Sequence, residues 1–256
     1  MAEAPRVTFL IVGVQKGGTT ALYDYLADYP DVGLSRVKEV HFFDDETRDW
    51  RAPAYRDYHA QFDAAACDAR ACGEATPIYL YWPNALERIA AYNPAMRLIV
   101  ALRDPVQRAW SHWRMEYARG AEREPFDWCI RQGRQRLFDA RPPVAPWGHH
   151  REFSYVERGF YGEQLERLFT RFPREQVLIL RAEDLRRDPA TTLDQVRGFL
   201  GLAVAQAPAA REAHVGQAID YPSTLTPQDV AWLRRVYARD QQRLKTLAGF
   251  AYDEAA

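Results

Sequence analysis

Lysine is almost missing from this 256-residue chain: of 34 basic residues only Lys16, Lys38 and Lys245 are lysines. Arginine fills the other basic positions, so a lysine kept against that bias suits a role needing a compact point charge in a confined place. Net charge is nearly absent too, at -1; nothing here favours bulk electrostatic capture of nucleic acid or of a membrane surface. No run approaches the roughly 20 apolar residues that span a bilayer. No charged n-region or cleavage site precedes the first apolar run, so no signal peptide is read and a cytoplasmic location is expected. Cysteine is scarce: Cys67, Cys72 and Cys129 are odd in number and lack metal-type spacing. Reduced thiols fit that pattern better than a zinc site or a disulfide framework.

What is present is ample material for a core, 47% apolar and 13% aromatic, in a pattern of alternating strands and helices. Val7 to Val12 is a continuous β-rich apolar run, followed by a glycine turn and by Leu22, Tyr23 and Leu26 at helical spacing. Arg97 to Leu102 is a second buried strand; Pro105 then opens a helix with Ala109, Trp110, Trp113 and Tyr117 on one side. Tyr161 to Phe172 is amphipathic and Val177 to Leu180 is a third buried strand. Pro189 to Leu200 reads as a helix closed by Gly201, and Thr226-Pro-Gln-Asp opens the last long one. Buried strands alternating with helices predict an α/β fold, an open and mostly parallel sheet flanked by helices. No linker is visible, so a single domain over 1–256 is expected. The stretch 120–159, rich in proline around Arg141 to His150, fits the pattern poorly; it reads either as an acceptor lid or as a solvated excursion.

Both lysines near the N-terminus stand in chemically loaded runs. Lys16 lies in Ile11-Val-Gly-Val-Gln-Lys-Gly-Gly-Thr-Thr20, and Lys38 in Lys38-Glu-Val-His-Phe-Phe-Asp44. A nucleotide-triphosphate loop reads GxxxxGK(S/T). Gly13, Gly18 and Thr20 keep that frame, but Thr19 takes the lysine position and the lysine has moved three places earlier. A strand–loop–helix of this kind offers backbone N–H groups and a helix N-terminus to an anion whichever arrangement is used. A glycine turn that binds nothing is the plainer alternative.

These residues resemble the PAPS-dependent sulfotransferases, particularly the heparan sulfate sulfotransferase-like branch and its bacterial relatives. PAPS is 3′-phosphoadenosine 5′-phosphosulfate. Gln15-Lys16-Gly17-Gly18-Thr19-Thr20 looks like their 5′-phosphosulfate loop. Ile99-Val-Ala-Leu-Arg-Asp-Pro-Val-Gln-Arg-Ala-Trp-Ser111 looks like their 3′-phosphate segment, with Arg103 and Ser111 at the phosphate-binding positions. Lys38-Glu-Val-His-Phe-Phe43 is similar to the segment carrying that branch's proposed catalytic glutamate. Gly73-Glu-Ala-Thr-Pro77, Arg158 to Tyr161, Glu183 to Leu185 and Phe199 to Leu202 extend the resemblance over roughly residues 7–202.

The resemblance implies a P-loop-like sulfotransferase fold, PAPS as co-substrate and a sulfuryl transfer to a hydroxyl, or an amine, of a small-molecule, glycoside or carrier-bound acceptor. Lys16, with the loop amides and Thr19 or Thr20, would stabilise charge building on the departing 5′-phosphate. Arg103 and Ser111 would grip the 3′-phosphate; pairing of Arg103 with Asp104 is the structural alternative. Glu39 is placed as general base. If the segment were extended, Glu39 and His41 would share one side, with Lys38 on the other; His41 is the competing base or a partner of Glu39. Lys38 would touch the sulfuryl group or merely cap a surface. The phosphosulfate carries less charge than a triphosphate tail, so no metal is expected.

Departures matter here. The branch commonly has lysine in an EKSP-like run, where this chain has Glu74-Ala75-Thr76-Pro77, and Gly216 to Pro222 lacks a basic KGR-type run. Heparan-like polysaccharide is therefore not the expected acceptor. Trp147, His149, His150 and Arg151 are candidates for an acceptor lid. The competing functions are a P-loop nucleotide kinase, against which the displaced Lys16 counts, and a non-catalytic protein that binds 3′-phosphoadenosine nucleotides.

Overall fold

Among the described residues five strands pair in one sheet, in the order β2-β3-β1-β4-β5 and all parallel. They are β1 (Phe9–Gly13), β2 (Val32–Leu34), β3 (Ala71–Ala75), β4 (Arg97–Leu102) and β5 (Val177–Arg181). The structure is a computed structural model that describes residues 6–63, 66, 68–132, 135–138, 148–209 and 219–252. Register is fixed by pairs such as Ile11 with Ala75, Ile11 with Ile99 and Leu102 with Arg181.

Strands β1 and β4 are buried along nearly their whole length, which is why they read as continuous apolar runs and not as alternating ones. Strand β3 is different: Ala-Cys-Gly-Glu-Ala has little intrinsic β preference. It is a strand because β1 and β2 pair with its two edges.

The chain divides into two compact units, each built from two stretches: residues 1–103 with 168–214, and 104–167 with 215–256. The first holds the sheet. Phe9, Ile11 and Ile99 pack there with Leu22 and Leu26 of helix Thr19–Leu26 and with Val196 and Leu200 of helix Pro189–Leu200. Full burial of each such side chain is worth about 1.5–3 kcal/mol. Asp188 caps the start of that last helix through Thr191 N–H at 3.1 Å, and Gly201 ends it in the left-handed conformation (φ 75°).

The second unit is helical. Helix Pro105–Ala118 contributes Ala109 and Trp113 to a core with Phe126, Ile130, Leu233 and Tyr237. Helix Pro227–Ala248 starts with a capping box between Thr226 and Asp229. The described residues of the poorly patterned stretch 120–159 are less irregular than expected, with short helices at Phe126–Gln132, Gln135–Phe138 and His149–Glu152. Each is too short to show a hydrophobic period.

Candidate active site

Parallel strands end together, so the loops leaving their carboxyl ends gather along one edge of the sheet. Strand β1 marks the point where strand order reverses, with β3 on one side and β4 on the other. In open α/β sheets ligands bind outside the carboxyl ends at such a point. Lys16 follows β1, Lys38 to Asp44 follow β2, Thr76 and Tyr79 follow β3, and Arg103 follows β4.

The loop after β1 is fastened to β4. Val14 N–H donates to Ala101 O at 2.9 Å, Gly17 N–H donates to Val14 O at 2.8 Å, and Arg103 Nη1 donates to Lys16 O at 3.5 Å. A Cβ on Gly17 would stand 2.3 Å from Ala101 O and 2.8 Å from Val14, so only glycine lets the loop lie this close. Gly17→Ala is expected to destabilise the fold by about 1–3 kcal/mol, as overpacking typically does, which urea denaturation would measure.

Gly18 (φ 86°) is the N-cap of helix Thr19–Leu26; no side chain caps that turn and no acidic residue sits in it. Its leading amides are therefore directed to whatever lies beyond the helix end, and that end carries partial positive charge. An anionic phosphate or phosphosulfate fits this cradle. Thr19 and Gly17 are buried, Gln15, Lys16 and Thr20 are half-buried, and Gly18 is exposed.

Among the described residues, Lys16, Glu39 and His41 are the non-glycine residues with positive φ, at 67°, 64° and 53°. Such conformations cost about 1–3 kcal/mol each and cluster where function demands them. All three were singled out from the sequence on other grounds.

The segment after β2 is turned, not extended. Its left-handed residues break the two-residue alternation, so Lys38 does not face away from Glu39. Lys38 Nζ lies 2.6 Å from Glu39 Oε1, and His41 Nε2 lies 3.6 Å from Glu39 Oε2. On its other side His41 Nδ1 meets Asp44 Oδ2 at 2.8 Å. The turn hangs on the end of β3 and the residues that follow. Glu39 N–H donates to Ala75 O (2.9 Å), His41 N–H to Thr76 Oγ1 (3.5 Å), and Phe42 and Phe43 N–H to the Tyr79 hydroxyl (3.0 and 3.4 Å).

Charge follows from this geometry. Burial alone would raise the Glu39 carboxyl, but His41 and Lys38 outweigh it and hold it at about 2. Burial would lower His41, yet Asp44 and Glu39 push it up to about 9. Burial takes Glu74 up to about 7 despite hydrogen bonds from Thr76 and Tyr79. Because folding raises the His41 value, its contribution to stability is full below its ordinary 6.5 and is lost as pH rises through about 9. The melting-temperature advantage of the wild type over His41→Ala should therefore shrink across that window.

Arg103 does not take Asp104 as its partner. Asp104 instead caps helix Pro105–Ala118 through Val106 and Gln107 N–H, both at 2.9 Å, and pairs with Arg234. Ser111 lies half-buried in that helix, in the second unit. His149 and His150 are half-buried and Arg151 is buried; the backbone carbonyls of His150 and Arg151 accept from Arg158 Nη2. Trp147, Cys67 and Gly216 to Ala218 lie outside the described residues. Among the described residues no group of three or more His, Cys, Asp and Glu is arranged to hold a metal ion. Sequence reasoning missed Asp44, though it stands three places after His41 in a run already marked. Thr76 stood in the marked run Gly73 to Pro77 without its role showing, and Tyr79 gave no local signal, because their partners are 35 to 37 residues away.

The profile of the family described as "Sulfotransferase domain" matches residues 7–216. The human protein "Heparan sulfate glucosamine 3-O-sulfotransferase 3B1" is 34% identical over 194 residues, covering 75% of this chain and 45% of that protein. The human "Bifunctional heparan sulfate N-deacetylase/N-sulfotransferase 3" is 30% identical over 199 residues, covering 76% and 22%. The chain thus spans less than half the length of these curated relatives. The crystal structure of a sulfotransferase from Alicyclobacillus acidocaldarius superposes with a TM-score of 0.77 at 27% identity, covering 98% of this chain and 97% of that one.

The cytoplasmic location expected from the sequence is overturned: the curated relatives are heparan sulfate sulfotransferases, which work in the Golgi lumen. Among the described residues no helix is long and apolar enough to cross a membrane, and that does not decide the compartment. The family profile covers most of the chain, which belongs to the sulfotransferase family.

Proposed function

We propose that this chain transfers a sulfuryl group from PAPS to a hydroxyl, or an amine, of a small-molecule, glycoside or carrier-bound acceptor. The carrying observation is that Lys16, Glu39 and His41, drawn from two separate motifs, all follow the carboxyl ends of parallel strands in strained left-handed conformations. The family profile runs through stretches of both compact units, which favours one sulfotransferase domain over 1–256.

PAPS supplies an activated sulfuryl group and a phosphate that departs with its charge. The uncapped amides of helix Thr19–Leu26 and the Lys16 ammonium bind that phosphate end and neutralise charge as it develops. Arg103, with Ser111, holds the 3′-phosphate; a planar guanidinium matches an oxyanion well. Glu39 takes the proton of the attacking hydroxyl. His41, held protonated near neutrality by Asp44 and Glu39, has no lone pair to accept one. It acts as a donor that orients Glu39. Lys38, bound to Glu39, sets how strong a base that carboxylate is.

An acceptor other than a heparan-like polyanion is favoured, because this chain has Ala75 where the heparan sulfate branch commonly carries lysine.

Two measurements test the function. Melting curves with 3′,5′-ADP, or with ATP and magnesium, should show stabilisation by 3′,5′-ADP alone. Labelled sulfate should then leave PAPS for members of a panel of alcohols, phenols, glycosides and amines. Stabilisation by ATP and magnesium alone would favour phosphoryl transfer. Binding of 3′,5′-ADP with no sulfate transferred across the panel would favour a non-catalytic nucleotide-binding protein.

A further inference from the structure

Glu74 takes no part in the steps above, yet it is wholly buried near the end of β3 (0% exposed). A carboxyl costs several kcal/mol to bury unless it is well satisfied. Hydroxyl groups surround it: Thr76 Oγ1 donates to Oε2 at 2.7 Å, Tyr58 OH donates to Oε1 at 3.5 Å, and the Tyr79 hydroxyl favours its ionised form.

Two of those hydroxyls have a second task. Thr76 Oγ1 accepts His41 N–H, and the Tyr79 oxygen accepts Phe42 and Phe43 N–H. A hydroxyl has one proton and two lone pairs. Where Glu74 is ionised, above about 7, giving it the proton turns the lone pairs toward those three consecutive amides. The buried carboxyl thereby sets the direction of two hydroxyls, and the hydroxyls hold a turn that contains the left-handed residues Glu39 and His41. Strained backbone of that kind persists only where its surroundings over-determine it.

We propose that Glu74 is a positioning residue for proton removal: through the Thr76 and Tyr79 hydroxyls it holds the His41–Phe43 backbone, and with it Glu39, in the geometry that transfer needs. The assignment rests on the sulfuryl-transfer function above. Groups facing Glu74 are Asp44 and His41 from the turn, Tyr58 from helix Tyr55–His59, and Thr76 and Tyr79 beyond β3. Glutamine at this position would put an amide donor where a hydroxyl also donates, and the array would lose its direction.

The test compares Glu74→Gln and Tyr79→Phe with the wild type, and repeats Glu74→Gln in a Glu39→Gln background. In the wild-type background kcat should fall on the order of 100-fold, the scale of a misplaced reacting group. The KM for PAPS and the affinity for 3′,5′-ADP should stay unchanged, and Thr76→Ser, which keeps the hydroxyl, should remain active. Where Glu39 is already glutamine, Glu74→Gln should cost nothing further, because no base is left to position. An unchanged kcat in both single variants, or an equal loss in both backgrounds, would overturn the proposal and leave Glu74 a fold-holding residue. If Glu74→Gln does not fold, Tyr79→Phe, which alters no charge, carries the same comparison in both backgrounds. A wild type that binds 3′,5′-ADP but moves no sulfate counts against the function itself; the positioning claim is then read by NMR titration of His41. Tyr79→Phe should bring His41 down from about 9 toward 6.5, and an unmoved titration contradicts it.

Discussion

Lys16→Ala is expected to slow turnover by about 100- to 1,000-fold, the usual consequence of removing one preorganised group that stabilises developing anionic charge. The loop itself should survive. Its shape is set by Val14 and Gly17 against Ala101 and Val14, and by the Arg103 guanidinium on the Lys16 carbonyl, none of which uses the Lys16 side chain. The loss should appear in kcat and kcat/KM together, because charge on the departing phosphate is largest in the transition state. Lys16→Arg should not restore activity, since a planar fork does not replace a point charge in a turn this tight. Steady-state rates with labelled PAPS measure both variants.

Glu39→Gln should depress kcat by about 100- to 10,000-fold, the range of a lost general base, with 3′,5′-ADP binding intact by calorimetry. The substitution keeps shape and removes proton affinity. At about 2 the carboxylate is ionised throughout the physiological range and is also a weak base. Its weakness comes from His41 and Lys38, so base strength depends on those contacts. The sign of the pH dependence follows. Activity of the wild type should lose nothing to Glu39 protonation until pH approaches about 2. Parallel loss of nucleotide binding and turnover in Glu39→Gln would make the glutamate a structural residue.

Much of the fold could be read directly. Val7 to Val12, Arg97 to Leu102 and Val177 to Leu180 announced β1, β4 and β5 because strands buried on both faces need unbroken apolar runs. Pro105, Pro189 and Pro227 announced helix starts, since proline at the first turn gives up only an N–H that has no partner there. Strands β2 and β3 were illegible. Val-Gly-Leu is too short to show a period, and Ala-Cys-Gly-Glu-Ala becomes a strand only through pairing with its neighbours.

The site divides the same way. Lys16, Lys38, Glu39, His41 and Arg103 could be named from local runs, because phosphate loops and base segments are local in sequence. Their geometry could not. An extended run after Lys38 would have put Glu39 and His41 on one side, but the structure turns it with positive φ at Glu39 and His41, held by hydrogen bonds to Ala75, Thr76 and Tyr79. Glu74 was visible only as part of a motif lacking its usual lysine; its burial and its hydroxyl partners belong to tertiary packing.

A crystal structure with 3′,5′-ADP bound decides whether the loop after β1 is a phosphate cradle. The nucleotide's 5′-phosphate should lie within hydrogen-bonding reach of Lys16 Nζ and the amides of Gly18 to Thr20, with the 3′-phosphate against the Arg103 guanidinium. A nucleotide bound elsewhere, with Lys16 turned away from it, would overturn that assignment.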